Sequence, residues 1–274
     1  FNGILWTVNI GGQYGPNTNV KTNGAGTISI TSDMADVPAN PTPNDSRNPW
    51  AVVIPGTIET ENGNLLMVGK STIARTNARG FALSGSFQSV SGTITIEDQT
   101  LNTNNVNYTG PFINGVKIGK GTLPASSSNV IFKADKFAFA NNSAVETSGA
   151  VTLEPLEDDF ASAFYFTIAD LSLDGAISGL TIGKSATSAD GTNDANVTIA
   201  GATTIAGPIN IYGGDIAING TLTATSDDIH LHSTGAVTQS AALTANGLSL
   251  NGTGTFTLTN TSNNIVTIAG GNEV

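Results

Sequence analysis

The chain has 274 residues, 39% of them hydrophobic, 11% charged and 6% aromatic, with 32 glycines. Disordered chains lack the apolar surface to offset ordering entropy, and globular domains typically carry about 25% charged residues, so an ordered β protein of unusual surface is implied. The formal charge of -11 argues against a nucleic-acid partner, and the lack of cysteine excludes disulfides and thiolate metal sites.

Phe1 is neither an initiator Met nor the start of a signal peptide, so a processed form or an excised fragment is expected. No apolar run approaches the roughly 18 residues that cross a bilayer. In chain order, the strands predicted for the first half are residues 27–30, 52–54, 65–68, 93–96, 116–118, 130–132 and 151–153, with drifting spacing. Residues 37–55 hold Pro38, Pro41, Pro43, Pro49 and Pro55 and read as an extended loop leaving the frame. Asn-Gly steps beginning at Asn2, Asn23, Asn62, Asn114, Asn219, Asn246 and Asn251 mark turns.

From about residue 195 a period appears. Val197-Thr198-Ile199, Ile216-Ala217-Ile218, Ala236-Val237-Thr238 and Phe256-Thr257-Leu258 recur every 19 or 20 residues. A second series, offset by half a repeat, is Ile209-Asn210-Ile211, Ile229-His230-Leu231, Leu248-Ser249-Leu250 and Val266-Thr267-Ile268. A third is Thr203-Thr204-Ile205, Leu222-Thr223-Ala224 and Ala241-Ala242-Leu243. Three short strands per repeat, separated by tight turns, suit one turn of a solenoid. The expected fold is therefore all-β, a right-handed parallel β-helix with three strands per coil of about 19–20 residues. Residues 1–125 would form a less regular part, continuous with regular repeats over residues 126–274. Coiled throughout at this period, the chain would make about 14 turns and a rod roughly 65 Å long. The strand and turn over residues 265–270, followed by only four residues, lead us to expect further protein beyond them.

The segment Gly247-Leu248-Ser249-Leu250-Asn251-Gly252-Thr253-Gly254-Thr255-Phe256-Thr257-Leu258-Thr259-Asn260-Thr261, running on to Ile265-Val266-Thr267-Ile268, resembles the repeats of filamentous-haemagglutinin-like large exoproteins. Ser178-Gly179-Leu180-Thr181-Ile182-Gly183 and Asp215-Ile216-Ala217-Ile218-Asn219-Gly220-Thr221-Leu222 are similar in style. The likeness covers residues 126–274 and is compositional before that. It implies right-handed parallel β-helices exported across the Gram-negative outer membrane by two-partner secretion, many serving as adhesins or biofilm-matrix proteins. The family's secretion domain carries Asn-Pro-Asn-type motifs. Arg47-Asn48-Pro49-Trp50 departs from them, which places that domain outside this segment if the resemblance holds.

Several motifs invite sharper readings. Gly63-Asn64-Leu65-Leu66-Met67-Val68-Gly69-Lys70-Ser71 resembles a phosphate-binding loop but has one residue too many between its glycines and no following helix, so it reads as a turn after a strand. Gly183-Lys184-Ser185 lacks the upstream glycine. His230 and His232 alternate with Ile229 and Leu231, which puts both imidazoles on the outer face of one strand. They supply two metal ligands where zinc normally needs three or four, and whether this chain holds a metal is left open. Glu154, Glu157, Asp158 and Asp159, with the pairs Asp170 and Asp174, and Asp190 and Asp194, suit solvated loops first, calcium second and catalysis last. Arg75 and Arg79, after Lys70, form a small basic group, Arg47 being the only other arginine. Thr221-Leu222-Thr223 and Thr255-Phe256-Thr257 do not repeat in successive coils as an ice-binding array requires. Trp6, Tyr14, Trp50, Tyr108 and Tyr165 lie in the less regular part, where loops carry recognition.

These readings lead us to expect an extracellular structural and adhesive β-solenoid segment at a bacterial cell surface, mediating attachment or matrix formation. It is not expected to be an enzyme: no catalytic residue and no cofactor is assigned, calcium being the one ion considered. The contact surface is expected in loops 31–55 and 97–128. Expected partners are a host-cell or matrix glycan or protein, neighbouring copies of the chain, and the outer-membrane transporter of the parent protein. A carbohydrate-binding or polysaccharide-cleaving β-helix is the alternative, and a subunit of an extracellular filament or surface layer a further one.

Overall fold

Strands with alternating apolar residues and too little length for a two-layer sheet bury their inner faces by stacking on the next copy of themselves. The computed structural model describes residues 6–9, 19–34, 50–71, 79–100, 112–140, 142–160, 164–166, 171–185 and 192–271. Among these, 28 strands and no helix occur, and every strand pairing is parallel. Most strands pair with the one three places later in the chain, so three faces rise ten coils high, the third unbroken and the first two interrupted once, after Ala138–Ala140 and after Leu171–Leu173. In the last two coils the second and third strands fuse into Leu243–Asn251 and Asn264–Gly271. This is a parallel β-helix with three strands per coil.

The inner rows of the third face show why it holds. Ile28, Leu65, Ile94, Val130, Val151, Leu180, Ile209, Ile229 and Leu248 stand one above another, each at most 9% exposed. A second row carries Ile30, Met67, Ile96, Phe132, Leu153, Ile182, Ile211 and Leu231. Each such side chain contributes about 1.5–3 kcal/mol by leaving water.

Coil length varies with position. Ile28 pairs with Leu65, Leu65 with Ile94 and Ile94 with Val130, whereas Ile209 pairs with Ile229 and Ile229 with Leu248. The longest additions fall between the third strand of one coil and the first of the next, as between Met34 and Trp50, Asp98 and Phe112, and Ile182 and Val197. That is why the first-half spacing drifts, and why the described residues make ten coils rather than 14. Nine steps of about 4.8 Å give a rise near 43 Å, shorter than 65 Å.

Two other expectations are corrected. The series alignments slip: Ile216 pairs with Val237 rather than Ala236, Leu222 with Leu243 rather than Ala241, and Leu248 with Ile268 rather than Val266. At the first two positions the larger apolar side chain takes the inward place: Ala236 is exposed and Val237 buried. The supposed loop 97–128 contains, besides the expected strand at Lys117–Ile118, the strand Phe112–Asn114, and its turn near residue 122 is tied down. Buried Glu59 accepts from the Thr122 amide (2.5 Å) and hydroxyl (2.7 Å), while buried Gln88 accepts from the Leu123 amide (3.1 Å) and donates to the Pro124 carbonyl (2.7 Å). Of loop 31–55, residues 31–34 and 50–54 are strand, and residues 35–49 lie outside the described part.

The corner between second and third strands is closed by hydroxyls. Thr60 donates to the Gly63 carbonyl (2.6 Å), Ser89 to the same carbonyl (2.9 Å), Ser128 to Ser89 (2.7 Å) and Thr147 to Ser128 (2.8 Å). Each satisfies a buried acceptor that water cannot reach, worth about 1 kcal/mol.

Thr203 breaks this economy. It sits fully buried in register with Leu222, and its hydroxyl has no partner. Thr203→Val is expected to raise stability by about 1 kcal/mol, read as a higher urea midpoint. A lower midpoint would mean that the hydroxyl is bonded in solution.

Candidate functional site

On the outer side of the third face, residues of one parity along each strand form two columns that climb the solenoid. In the lower coils one column reads Leu66, Thr95, Ile131 and Thr152, and the other Val68, Glu97, Lys133 and Glu154. Higher up the chemistry changes. Asn210, His230 and Ser249 stack in the first column, and Tyr212, His232 and Asn251 in the second. All six are half-buried, none is aliphatic and none is a carboxylate, lysine or arginine.

All of these but Ser249 floor a groove of about 420 Å³, with Ser185 and Thr192, from the connection that follows the strand Gly179–Ile182, also lining it. Gly183 lies below Tyr212, where the absence of a side chain lets the two coils approach. It has a φ of +78°, and a β-carbon there would lie 3.1 Å from the Tyr212 β-carbon. The Tyr212 and His232 rings are 5.8 Å apart and tilted by 35°, so they form one aromatic strip across two coils. Asn251 donates to the Ser249 hydroxyl at 3.0 Å, which holds its amide in place. Among the described residues no protein group bonds the Tyr212 hydroxyl or either imidazole, so their donors and acceptors face the groove or solvent.

The alternation that predicts outward imidazoles is what the structure has: His230 and His232 flank Leu231, which is fully buried. Tyr212 was not legible as their neighbour, although it stands 20 residues before His232, one period of the repeat. That shared period is the signal that finds it. Of the other aromatics, Trp6 and Trp50 are adjacent in register on the first face and Tyr165 lies in the strand Phe164–Phe166, while Tyr14 and Tyr108 lie outside the described residues.

The remaining candidates do not converge. Lys70 belongs to the strand Leu65–Ser71, not to a turn, and its ammonium meets Asp33 at 3.3 Å on the adjacent strand, so the segment resembling a phosphate-binding loop has no loop there. Arg47 and Arg75 fall outside the described residues, and Arg79 begins the strand Arg79–Leu83. The carboxylates serve structural hydrogen bonds: Asp159 accepts from the Asp194 amide and Asp174 from the Ala176 amide (2.9 Å), while Asp194 accepts from the Thr234 hydroxyl (3.0 Å). Glu157 and Asp158 are exposed on a turn and Glu154 lies on the strand Ala150–Glu154, while Asp170 and Asp190 lie outside the described residues. Burial pushes the Asp135 carboxyl above the ordinary range and Glu157 adds to this, against the Leu156 amide at 3.1 Å, Lys184 and Lys136. Among the described residues no three His, Asp or Glu side chains gather as metal ligands.

A second hollow, about 320 Å³, lies against the second face beside Lys120, which pairs with Glu146 at 2.9 Å. Its cation is thereby engaged. Comparison with protein-family models, curated proteins and solved structures finds no match to this chain. The class is accordingly set by the fold alone, a parallel β-helix with one polar, aromatic groove on its third face.

Proposed function

We propose that the chain is an extracellular structural and adhesive solenoid segment of a secreted bacterial surface protein. The observation that carries this reading is the unbroken parallel stacking of the third face from Ile28 to Gly271, which makes a stiff frame whose outer face displays side chains. A frame of this kind orders a long surface at little entropy cost per contact, which suits attachment. The groove over Tyr212 and His232 favours a second element in the same reading, carbohydrate binding, since it combines aromatic rings with amides and hydroxyls.

The test is attachment. Beads coated with the 274-residue chain are expected to adhere to epithelial monolayers or to bacterial biofilm above albumin-coated beads. Adhesion no better than albumin on both surfaces overturns the reading. Release of reducing ends from soluble polysaccharides would replace it with a polysaccharide-cleaving one.

A further inference from the structure

We infer that the groove over Asn210, Tyr212, His230, His232 and Asn251 is a binding site for a neutral oligosaccharide, laid along the solenoid axis across three coils. The inference rests on the adhesive reading and gives it a ligand class. Four observations carry it.

The first is shape. The groove measures about 420 Å³, within the range of small-ligand sites, and its lining spans three successive coils, from Tyr212 through His232 to Asn251. The second is composition. Planar rings offer faces to the C–H side of a sugar, while amides and hydroxyls meet its hydroxyls in both donor and acceptor sense. An apolar ligand would leave those polar groups unpaired, at a cost of about 1–3 kcal/mol for each one buried.

The third is charge. No Lys, Arg, Asp or Glu lines the groove, and the chain as a whole carries -11, so sulfated or uronic acid chains would meet net repulsion with no compensating cation. The fourth is the local change in the columns. Only over these coils do Ile131, Lys133 and Glu154 give way to amide, imidazole and phenol. Coils spaced about 4.8 Å apart repeat contacts at close to the spacing of successive sugar rings in an extended glycan.

The experiment screens the 274-residue chain by calorimetry against cellohexaose, chitohexaose, maltohexaose and mannohexaose, with hexagalacturonate and heparin as acidic probes and Zn²⁺ as a metal probe. At least one neutral hexasaccharide is expected to bind, and Tyr212→Ala and His232→Ala are each expected to weaken it at least tenfold. Thr95→Ala, on the same face four coils below Asn210, should leave it unchanged. Circular dichroism of each variant guards against unfolding, and the milder His232→Gln and Tyr212→Phe variants keep the test open should the alanine variants fail to fold. No neutral binding, neutral binding that both groove variants leave intact, or binding of the acidic probes alone overturns the assignment. Zn²⁺ uptake lost on His230→Ala, with no glycan bound, overturns it in favour of a metal site. Beads that adhere while every hexasaccharide fails remove this site and leave the adhesive solenoid standing.

Discussion

Gly207→Ala is expected to destabilise the chain by about 3 kcal/mol, a large effect for one methyl group. A β-carbon at this corner would overlap the carbonyl of Ser178 in the coil below and approach the Gly179 amide nitrogen to 2.9 Å. Both neighbours are backbone, so no side chain can swing aside and the two coils must part. The Ala206 and Gly207 amides, which both bond the Ile177 carbonyl at 3.1 Å, would be strained with them. Because each coil touches only its neighbours, the damage should be local. Hydrogen exchange is expected to lose protection at Gly179–Ile182 and Ile209–Gly213 and keep it at Thr93–Asp98. Gly175→Ala, where no atom lies within 4 Å of the added carbon, is the control and should be near neutral. Equal midpoints for the two variants would refute the close approach.

Phe132→Ala should cost about 3–5 kcal/mol, through lost burial and a cavity that the solenoid cannot close. Phe132 is fully buried in the row between Ile96 and Leu153. Its ring meets the edges of Phe139 at 5.3 Å and Phe137 at 6.4 Å, both near 86°, and Phe137 in turn packs on Phe160 at 6.1 Å. Removing the ring unseats an aromatic cluster that joins the third face to the next coil's first. Ile131→Ala, one residue away but pointing outward, should cost under about 1 kcal/mol. Urea midpoints measure both, and similar losses would mean that the strand's register is inverted.

The third face was the legible one. Leu65-Leu66-Met67-Val68 and Thr93-Ile94-Thr95-Ile96 place large apolar residues inward, and the strands Leu65–Ser71 and Thr93–Asp98 contain them. The second face was legible at Lys117–Ile118, Thr203–Ile205 and Leu222–Ala224, but hidden lower down because its strands Thr57–Thr60 and Ser86–Ser89 turn polar groups inward: Glu59, Thr60, Gln88 and Ser89 are all buried. No hydrophobic period marks such a strand, since its inward side chains are held by hydrogen bonds to a turn far along the chain. At the groove, alternation placed His230 and His232, but Tyr212 and Asn251 join them only through the stacking of coils. Adjacency between coils is visible in a sequence only once the exact repeat length is known, and the insertions blur it.

Those insertions share a seam. Corners at Gly207 and at the Thr60–Ser89–Ser128–Thr147 ladder are filled by backbone and hydroxyl contacts, and apart from the connection between Ile118 and Asn129 the longest additions fall at the passage from third strand to first. A foreign peptide spliced there, between Ser71 and Arg79 for example, would extend outward without shifting any stacked row. The molecule thus offers a ready edge for displaying guest epitopes at intervals set by the backbone itself.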